Sequence, residues 1–318
     1  MVRLLDVTLR DGGYVNGFSF SAHQSCQVVR LLQEAGIPFV EIGYFIPGRT
    51  TPDDLGRKGY TLDHLSEVAA CCQPQMSPVV MIPPGVAARA DYLALARVGI
   101  KGVRFPAPPA KFNLLTPDVD AARKAGLLVF LNLIRVSEYS MKELVGLCDR
   151  LAALSPDWLY LADSNGGLFP HQVREIVGTL KDEIDVPLGF HPHNGLSLAF
   201  ANSLAAMEEG IAILDGSLGG LGKGGGNLSL EMIALFLNSR QETFFSFRPL
   251  LQASRNSLMP WLGETWPKRL TEILSSITNL DLQMLISLKQ QVGDDPWNLL
   301  EALVQCFEQK YCKLEATA

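Results

Sequence analysis

The chain has 318 residues, 47% of them apolar and 19% charged, with a formal net charge of −6. That apolar share is ample for a large core and argues against disorder, and an acidic balance with no basic run argues against a nucleic-acid surface. No apolar run approaches membrane-spanning length and no basic-then-apolar leader precedes the first one, so a cytoplasmic protein without membrane contact is expected. The six cysteines, at 26, 71, 72, 148, 306 and 312, form no CxxC pair. The adjacent Cys71 and Cys72 read as buried thiols, which suits a reducing compartment.

Taken in chain order, short apolar runs alternate with helical periodicity. The run 3–8 precedes a helix at 21–35; 38–44 precedes 61–72; 77–82 precedes 88–98; 101–105 precedes 116–125. Then 127–134 precedes 140–154, 157–162 precedes 170–183, 187–192 precedes 196–209, and 211–215 precedes 228–238. Eight such units, with strands apolar on both faces, predict an α/β fold, a (β/α)8 TIM barrel over residues 1–240; an open doubly wound sheet is the competing arrangement. From 241 to 318 the alternation gives way to helices at 247–257, 266–277, 280–292 and 296–312, a C-terminal helical extension. Trp261, Trp266 and Trp297 are expected to pack on the barrel or on a second subunit. Leu280, Leu282, Met284, Leu285, Ile286 and Leu288 make that extension apolar enough to suggest a homodimer.

Polar residues collect at the ends of the strand-like runs: Asp11, Glu41, Arg104, Asn132, Asp163, His191, His193 and Asp215. In a barrel those ends converge on the face where active sites are built. Residues i and i+2 of a strand share a face, so His191 and His193 offer two imidazoles to one ion, and Asp11 supplies a carboxylate. Two His and one carboxylate leave coordination positions open, which suits catalysis better than structure. The alternative is a pair of core histidines. Glu41 lies between apolar neighbours and needs a partner such as Arg10 or a metal-bound water. Asp215 reads as a cap for the last loop, and Arg104 as a group that grips a substrate carboxylate. Lys58, Lys111 and Arg135 are either contacts for an anionic substrate or ordinary solvated charges.

Three segments together resemble a known family. Thr8-Leu9-Arg10-Asp11-Gly12, His191-Pro192-His193-Asn194 and Gly219-Gly220-Leu221-Gly222-Lys223-Gly224-Gly225-Gly226-Asn227 look like the signatures of the DRE-type TIM-barrel metallolyases, the HMGL-like superfamily. That group includes hydroxymethylglutaryl-CoA lyase, isopropylmalate and homocitrate synthases and 4-hydroxy-2-oxovalerate aldolase. The resemblance covers residues 1 to about 240. It implies that Asp11, His191 and His193 bind a divalent ion, with Asn227 as a further ligand, and that Arg10 stabilises an enolate oxygen. Oxygen-rich, expandable coordination favours Mn²⁺ or Mg²⁺, with Co²⁺ or Zn²⁺ as alternatives. Asp163, in Ala162-Asp163-Ser164-Asn165-Gly166, resembles a family stretch near the metal.

Gly12-Gly13-Tyr14-Val15-Asn16 resembles the opening of chains described as aldolase catalytic domains. Tyr14 stands where the synthases and several lyases carry Gln and the hydroxyoxovalerate aldolases carry His; it either moves a proton or shapes the pocket. The glycine-rich loop has no Cys, unlike the lyase branch, and Gly222 and Gly224 allow close backbone approach to substrate. The resemblance thus implies a metal-dependent aldolase acting on a 2-oxo acid and an aldehyde. Alternatives are a Claisen-type acyl-CoA condensing synthase and a non-catalytic metal-binding barrel. In the hydroxyoxovalerate aldolases the C-terminal helices dock an acylating aldehyde dehydrogenase, which is therefore a further expected partner.

Overall fold

The computed structural model describes residues 2–48, 59–241, 243–293 and 295–311; Lys58 and Cys312 lie outside them. Eight parallel strands close into a barrel in sequential order. They are β1 (Arg3–Asp6), β2 (Phe39–Tyr44), β3 (Ser77–Met81), β4 (Gly102–Pro106), β5 (Leu128–Leu133), β6 (Trp158–Asp163), β7 (Leu188–Pro192) and β8 (Ile213–Gly216). Closure is made by β1 on β8, with Arg3 opposite Ile213 and Leu5 opposite Asp215. The helices between them are α1 (Ala22–Glu34), α2 (Leu62–Ala69), α3 (Arg89–Arg97), α4 (Phe112–Lys124), α5 (Met141–Ala152), α6 (Pro170–Glu183) and α7 (Ala199–Glu208), and α8 (Leu230–Ser239) follows β8. The TIM barrel and its trailing helices are as the sequence predicts.

Local chemistry sets the helix ends. Ser21, Thr61, Ser140 and Ser229 each accept a backbone N–H of the first turn of α1, α2, α5 and α8, where four donors lack a helical partner. The α4 start differs from the expectation. Thr116-Pro117 reads as an N-terminus, yet α4 begins at Phe112. Proline there forfeits one early hydrogen bond, and burial of Phe112 and Leu115 offsets it.

The core has two layers. Apolar helix faces pack on the outside of the sheet, and a separate cluster of Leu5, Val7, Phe39, Val79, Phe130, Tyr160 and Ile213 fills the barrel interior. Gly102 and Gly189 make room for that filling. A Cβ at Gly102 would lie 2.8 Å from the Phe130 ring, and one at Gly189 2.7 Å from the Tyr160 ring. Strand alternation then lifts the next inward residues, Glu41, Asn132 and Asp215, towards the C-terminal mouth.

After the barrel come α9 (Phe247–Ala253), a π-helical turn (Ser254–Leu258), α10 (Met259–Leu262), α11 (Trp266–Thr278), α12 (Leu282–Val292) and α13 (Pro296–Tyr311). The helix expected at 247–257 thus changes register at Ser254. Trp266 is buried, its ring 5.8 Å from that of Trp297, and Trp261 packs edge-on against Phe20 of the barrel at 5.2 Å. On α12, Leu282, Met284 and Ile286 are exposed.

One expectation is corrected. Cys71 is not a buried thiol: it is half-buried and bonded to Cys26 of α1, with the two Cα atoms 5.7 Å apart. Bringing two cysteines 45 residues apart together depends on α1 packing against α2, which spacing alone does not show. Cys72 stays free and half-buried, and burial pushes its thiol up to about 12.

Candidate active site

The site is built on β1, β2, β7 and β8. After β1 the chain turns at once, as the amides of Arg10, Asp11 and Gly12 all donate to the Val7 carbonyl. This tight turn places Arg10 and Asp11 over the mouth, both almost fully buried. From β7, His191 and His193 come up on one face with ring centroids 4.8 Å apart and planes at 85°. Asp11, His191 and His193 each offer a ligand atom within 4.8 Å of the others, all buried, the only such three-residue group of His, Cys, Asp and Glu found among the described residues.

The hydrogen bonds leave these side chains able to hold a cation. His191 Nδ1 donates to Asp215 Oδ2 at 2.7 Å, and His193 Nδ1 donates to the Gly226 carbonyl at 3.2 Å. Each Nδ1 therefore carries the proton, and each Nε2 keeps its lone pair for a metal. Burial, with His191 adding, lowers the His193 pKa to about 4, so the imidazole is neutral as a ligand must be. Burial opposes ionisation of Asp11, but Arg10 and the two histidines hold its carboxyl well below the usual range.

The glycine-rich loop closes the ring. The amides of Asn194 and Leu228 donate to the carbonyls of Gly226 and Pro192, sewing the loop to the end of β7. Asn227 Nδ2 then donates to Asp11 Oδ2 at 3.0 Å and to the Leu221 carbonyl at 2.9 Å. Its Oδ1 is buried without a partner. An orphaned carbonyl oxygen beside a carboxylate and two imidazole lone pairs is a donor set with a gap, and a divalent cation fits it. Gly222 lies against this group, where a Cβ would come within 2.4 Å of Asn227 Nδ2. Gly224, at φ +62°, has open space around it.

A charged network lies beneath. Arg10 Nε donates to Glu41 Oε2 at 2.7 Å, its Nη1 donates to Asp11, and its Nη2 is buried without a partner. Burial opposes its charge, yet Glu41 and Asp11 raise its pKa above the ordinary value. Glu41 thus has the Arg10 partner the sequence asks for. Arg104 differs from expectation. It is fully buried, forks onto Asp215 at 2.7 and 3.0 Å, reaches Glu41 at 3.2 Å and stacks 3.9 Å from the Tyr160 ring. Its guanidinium is committed inside the barrel, holding two carboxylates that themselves hold Arg10 and His191.

Asp163 is likewise occupied, accepting the amides of Gly167 and Leu168 at 3.0 Å each and shaping the loop after β6. Asn132, at the end of β5, is buried with Oδ1 unpartnered. Tyr14 is half-buried in the first loop, hydrogen-bonded to Tyr44, whose ring lies 5.9 Å from the Arg10 guanidinium. Phe18, at φ +61°, is wedged between these two tyrosines, in a conformation a bulky side chain rarely adopts. Arg135 is exposed and pairs with Glu138. Asp215, read from sequence as a loop cap, is the residue sequence reasoning undervalued: it is the carboxylate behind His191. Its only sequence signal is a charge ending an apolar run.

Comparison with known proteins agrees with this fold. The HMGL-like family model matches residues 108–256. A 4-hydroxy-2-oxovalerate aldolase from Bacillus cereus is 32% identical over 246 residues, 74% of this chain and 70% of the relative; one from Geobacillus stearothermophilus is 30% identical over 239 residues, 74% and 69%. Among solved structures, hydroxymethylglutaryl-CoA lyase from Pseudomonas aeruginosa superposes with a TM-score of 0.69 at 21% identity, covering 85% of this chain and 98% of that one. The N-terminal domain of a candidate aldolase from Bacteroides vulgatus gives 0.70 at 22%, covering 95% and 100%. The chain belongs to the HMGL-like family of TIM-barrel enzymes. It is a carbon–carbon lyase of the aldolase type.

Proposed function

We propose that this enzyme is a divalent-metal-dependent aldolase that cleaves a 4-hydroxy-2-oxo acid into pyruvate and an aldehyde, or runs the reverse condensation. The observation that carries the reading is the joining of an Asp11, His191 and His193 ligand group to an Arg10 guanidinium with one buried nitrogen unsatisfied. Similarity to relatives named 4-hydroxy-2-oxovalerate aldolase supports the substrate class. Asp11, His191, His193 and Asn227 Oδ1 would hold the metal, with Mn²⁺ or Mg²⁺ favoured. When bound, it supplies Lewis-acid polarisation of the 2-oxo carbonyl.

Cleavage removes the 4-hydroxyl proton and breaks the C3–C4 bond. The bond's electron pair becomes the enolate of pyruvate, which takes up a proton at C3 as the aldehyde leaves. Negative charge therefore grows on the 2-oxo oxygen, and the free Arg10 Nη2 is the protein donor suited to meet it. Glu41 fixes Arg10, and Arg104 fixes Glu41 and Asp215. Tyr14, backed by Tyr44, is the candidate for handling the hydroxyl proton, and Asn132 for orienting substrate through its unpaired Oδ1. Gly222 and Gly224 line the same loop as Asn227. Self-association would run through Leu282, Met284 and Ile286 of α12, and an acylating dehydrogenase would compete for the same helices. A cytoplasmic setting belongs to the proposal; the Cys26–Cys71 pairing is the feature that argues against it. No helix among the described residues is long and apolar enough to cross a membrane.

The test is pyruvate release from a panel of 4-hydroxy-2-oxo acids by metal-stripped protein, with Mn²⁺, Mg²⁺, Co²⁺ or Zn²⁺ restored singly. Turnover that returns with metal and is lost in Asp11→Asn and His191→Ala is the expected result. Coenzyme A release from an acyl-CoA with a 2-oxo acid, and silence on the panel, would replace this reading with the condensing synthase.

A further inference from the structure

Outside the ligand group, Glu231 is a buried carboxylate that joins two parts of the fold and that the mechanism does not use. Glu231, in the first turn of α8, is fully buried within an apolar stretch. Both its oxygens accept the Gly219 amide at 2.9 Å; Oε2 also accepts the Ser229 hydroxyl and Oε1 the Ser254 hydroxyl, each at 2.8 Å. Gly219 opens the glycine-rich loop that ends in Asn227. Ser254 opens the π-helical turn of the C-terminal extension.

Two further observations lie on the same line. Gly219 has φ +62°, and a Cβ there would come within 1.9 Å of Leu262 and 3.0 Å of the Trp266 indole nitrogen, so the extension is packed against this residue. The preceding amide, Leu218, donates to the Thr8 hydroxyl at 2.8 Å, and Thr8 donates in turn to Asp6 at 2.6 Å. Two consecutive loop amides are thus held by buried acceptors, one from the turn after β1 and one tied to the extension. Neither bond is part of a helix or a strand ladder.

We propose that Glu231 is a positioning residue that braces the glycine-rich loop against the C-terminal helices, so that the Ser254–Glu231–Gly219 connection sets where Asn227 Oδ1 is presented. The extension is then part of the site's scaffold as well as a surface. The link to metal rests on the function proposed above; the bracing of the loop does not.

The experiment compares wild type with Glu231→Gln, Glu231→Ala and Ser254→Ala, using Ser275→Ala as a control whose hydroxyl bonds only within α11. Amide hydrogen exchange over residues 217–229 is read by mass spectrometry, and Mn²⁺ affinity by calorimetry with the metal alone. Faster exchange confined to that loop is expected in Ser254→Ala and Glu231→Ala. Glu231→Gln, which keeps one acceptor for Gly219, should be intermediate. Mn²⁺ affinity should fall on the order of 10-fold in Glu231→Ala, the loss usual when a group supporting a ligand is removed. Exchange and affinity unchanged in a folded Ser254→Ala and Glu231→Gln would overturn the proposal. Wild type that binds no Mn²⁺ would defeat the metal reading, while the exchange arm would still decide the brace.

Discussion

The two halves of the barrel mouth use the same residue types to opposite ends. On the side of β1, β2, β7 and β8, charged groups are paired with one another yet leave atoms over: Arg10 Nη2, Glu41 Oε1 and Asn227 Oδ1 are buried without partners. On the side of β4 and β6, Arg104 spends its terminal nitrogens on Asp215 and Glu41, leaving only its Nε over, and Asp163 spends both oxygens on loop amides. A polar residue at a strand end is therefore a weak sign of catalysis. What separates the halves is where the unsatisfied atoms sit: Arg10 Nη2 and Asn227 Oδ1 belong to side chains that bond the Asp11 carboxylate, whereas Arg104 Nε is left over on a guanidinium committed to Asp215 and Glu41.

The largest expected effect tests the reactive half. Arg10→Lys keeps a positive charge but cannot bond Glu41 and Asp11 and still present a third nitrogen in the plane of a guanidinium. We expect kcat to fall about 10²–10³-fold, the loss usual for a donor aimed at a developing oxyanion, with a smaller change in KM. Steady-state kinetics on the best substrate of the panel checks this. A rise in KM at constant kcat would make Arg10 a substrate-binding group only.

A pair of variants sharpens the comparison itself. Asp215→Asn weakens the orientation of His191 and leaves Arg104 with one charged partner fewer, so Mn²⁺ affinity should fall about 10–100-fold. Asp163→Asn turns one acceptor of two loop amides into a donor. Stability should fall by about 1–3 kcal/mol while Mn²⁺ affinity holds near wild type. Calorimetric titration and thermal unfolding of both proteins separate the outcomes. Equal loss of metal binding in the two variants would erase the distinction between the halves.

Much of this layout was legible in the sequence. The strand positions came through to within a residue or two, since runs buried on both faces leave an uninterrupted apolar signal. The Asp11, His191 and His193 grouping was legible because i, i+2 alternation and barrel convergence are geometric rules. Arg104 and Asp215 were misread for one reason: they are 111 residues apart, and only the closing of β8 on β1 brings them into a two-pronged pair. Glu231 and Ser254 were invisible for the same reason. Pairing of a buried charge is decided by tertiary contact, while its presence in an apolar run is all that a sequence displays.

The smallest expected effect concerns Asp6, at the end of β1, the strand that leads to Asp11. Burial, with Glu231 and Asp215 adding to it, raises its pKa to about 7 against the opposing hydrogen bonds from Thr8. A carboxyl raised on folding binds its proton more tightly in the native state than in the unfolded chain. Its contribution to stability is fully present below the unfolded value near 3.8 and is lost as pH rises through about 7. Wild type should therefore lose more thermal stability between pH 5 and pH 8.5 than Asp6→Asn, which has no proton to release there. His193 acts in the other direction at lower pH: its value of about 4 lies below the unfolded one, so its contribution disappears as pH falls from about 6.5 through 4. Unfolding curves of both proteins across that range would resolve the two limbs. Parallel losses above pH 5 would mean that the two bonds from Thr8 keep Asp6 ionised in the folded chain, and that the half of the mouth around Asp11 tolerates one more buried charge than its burial suggests.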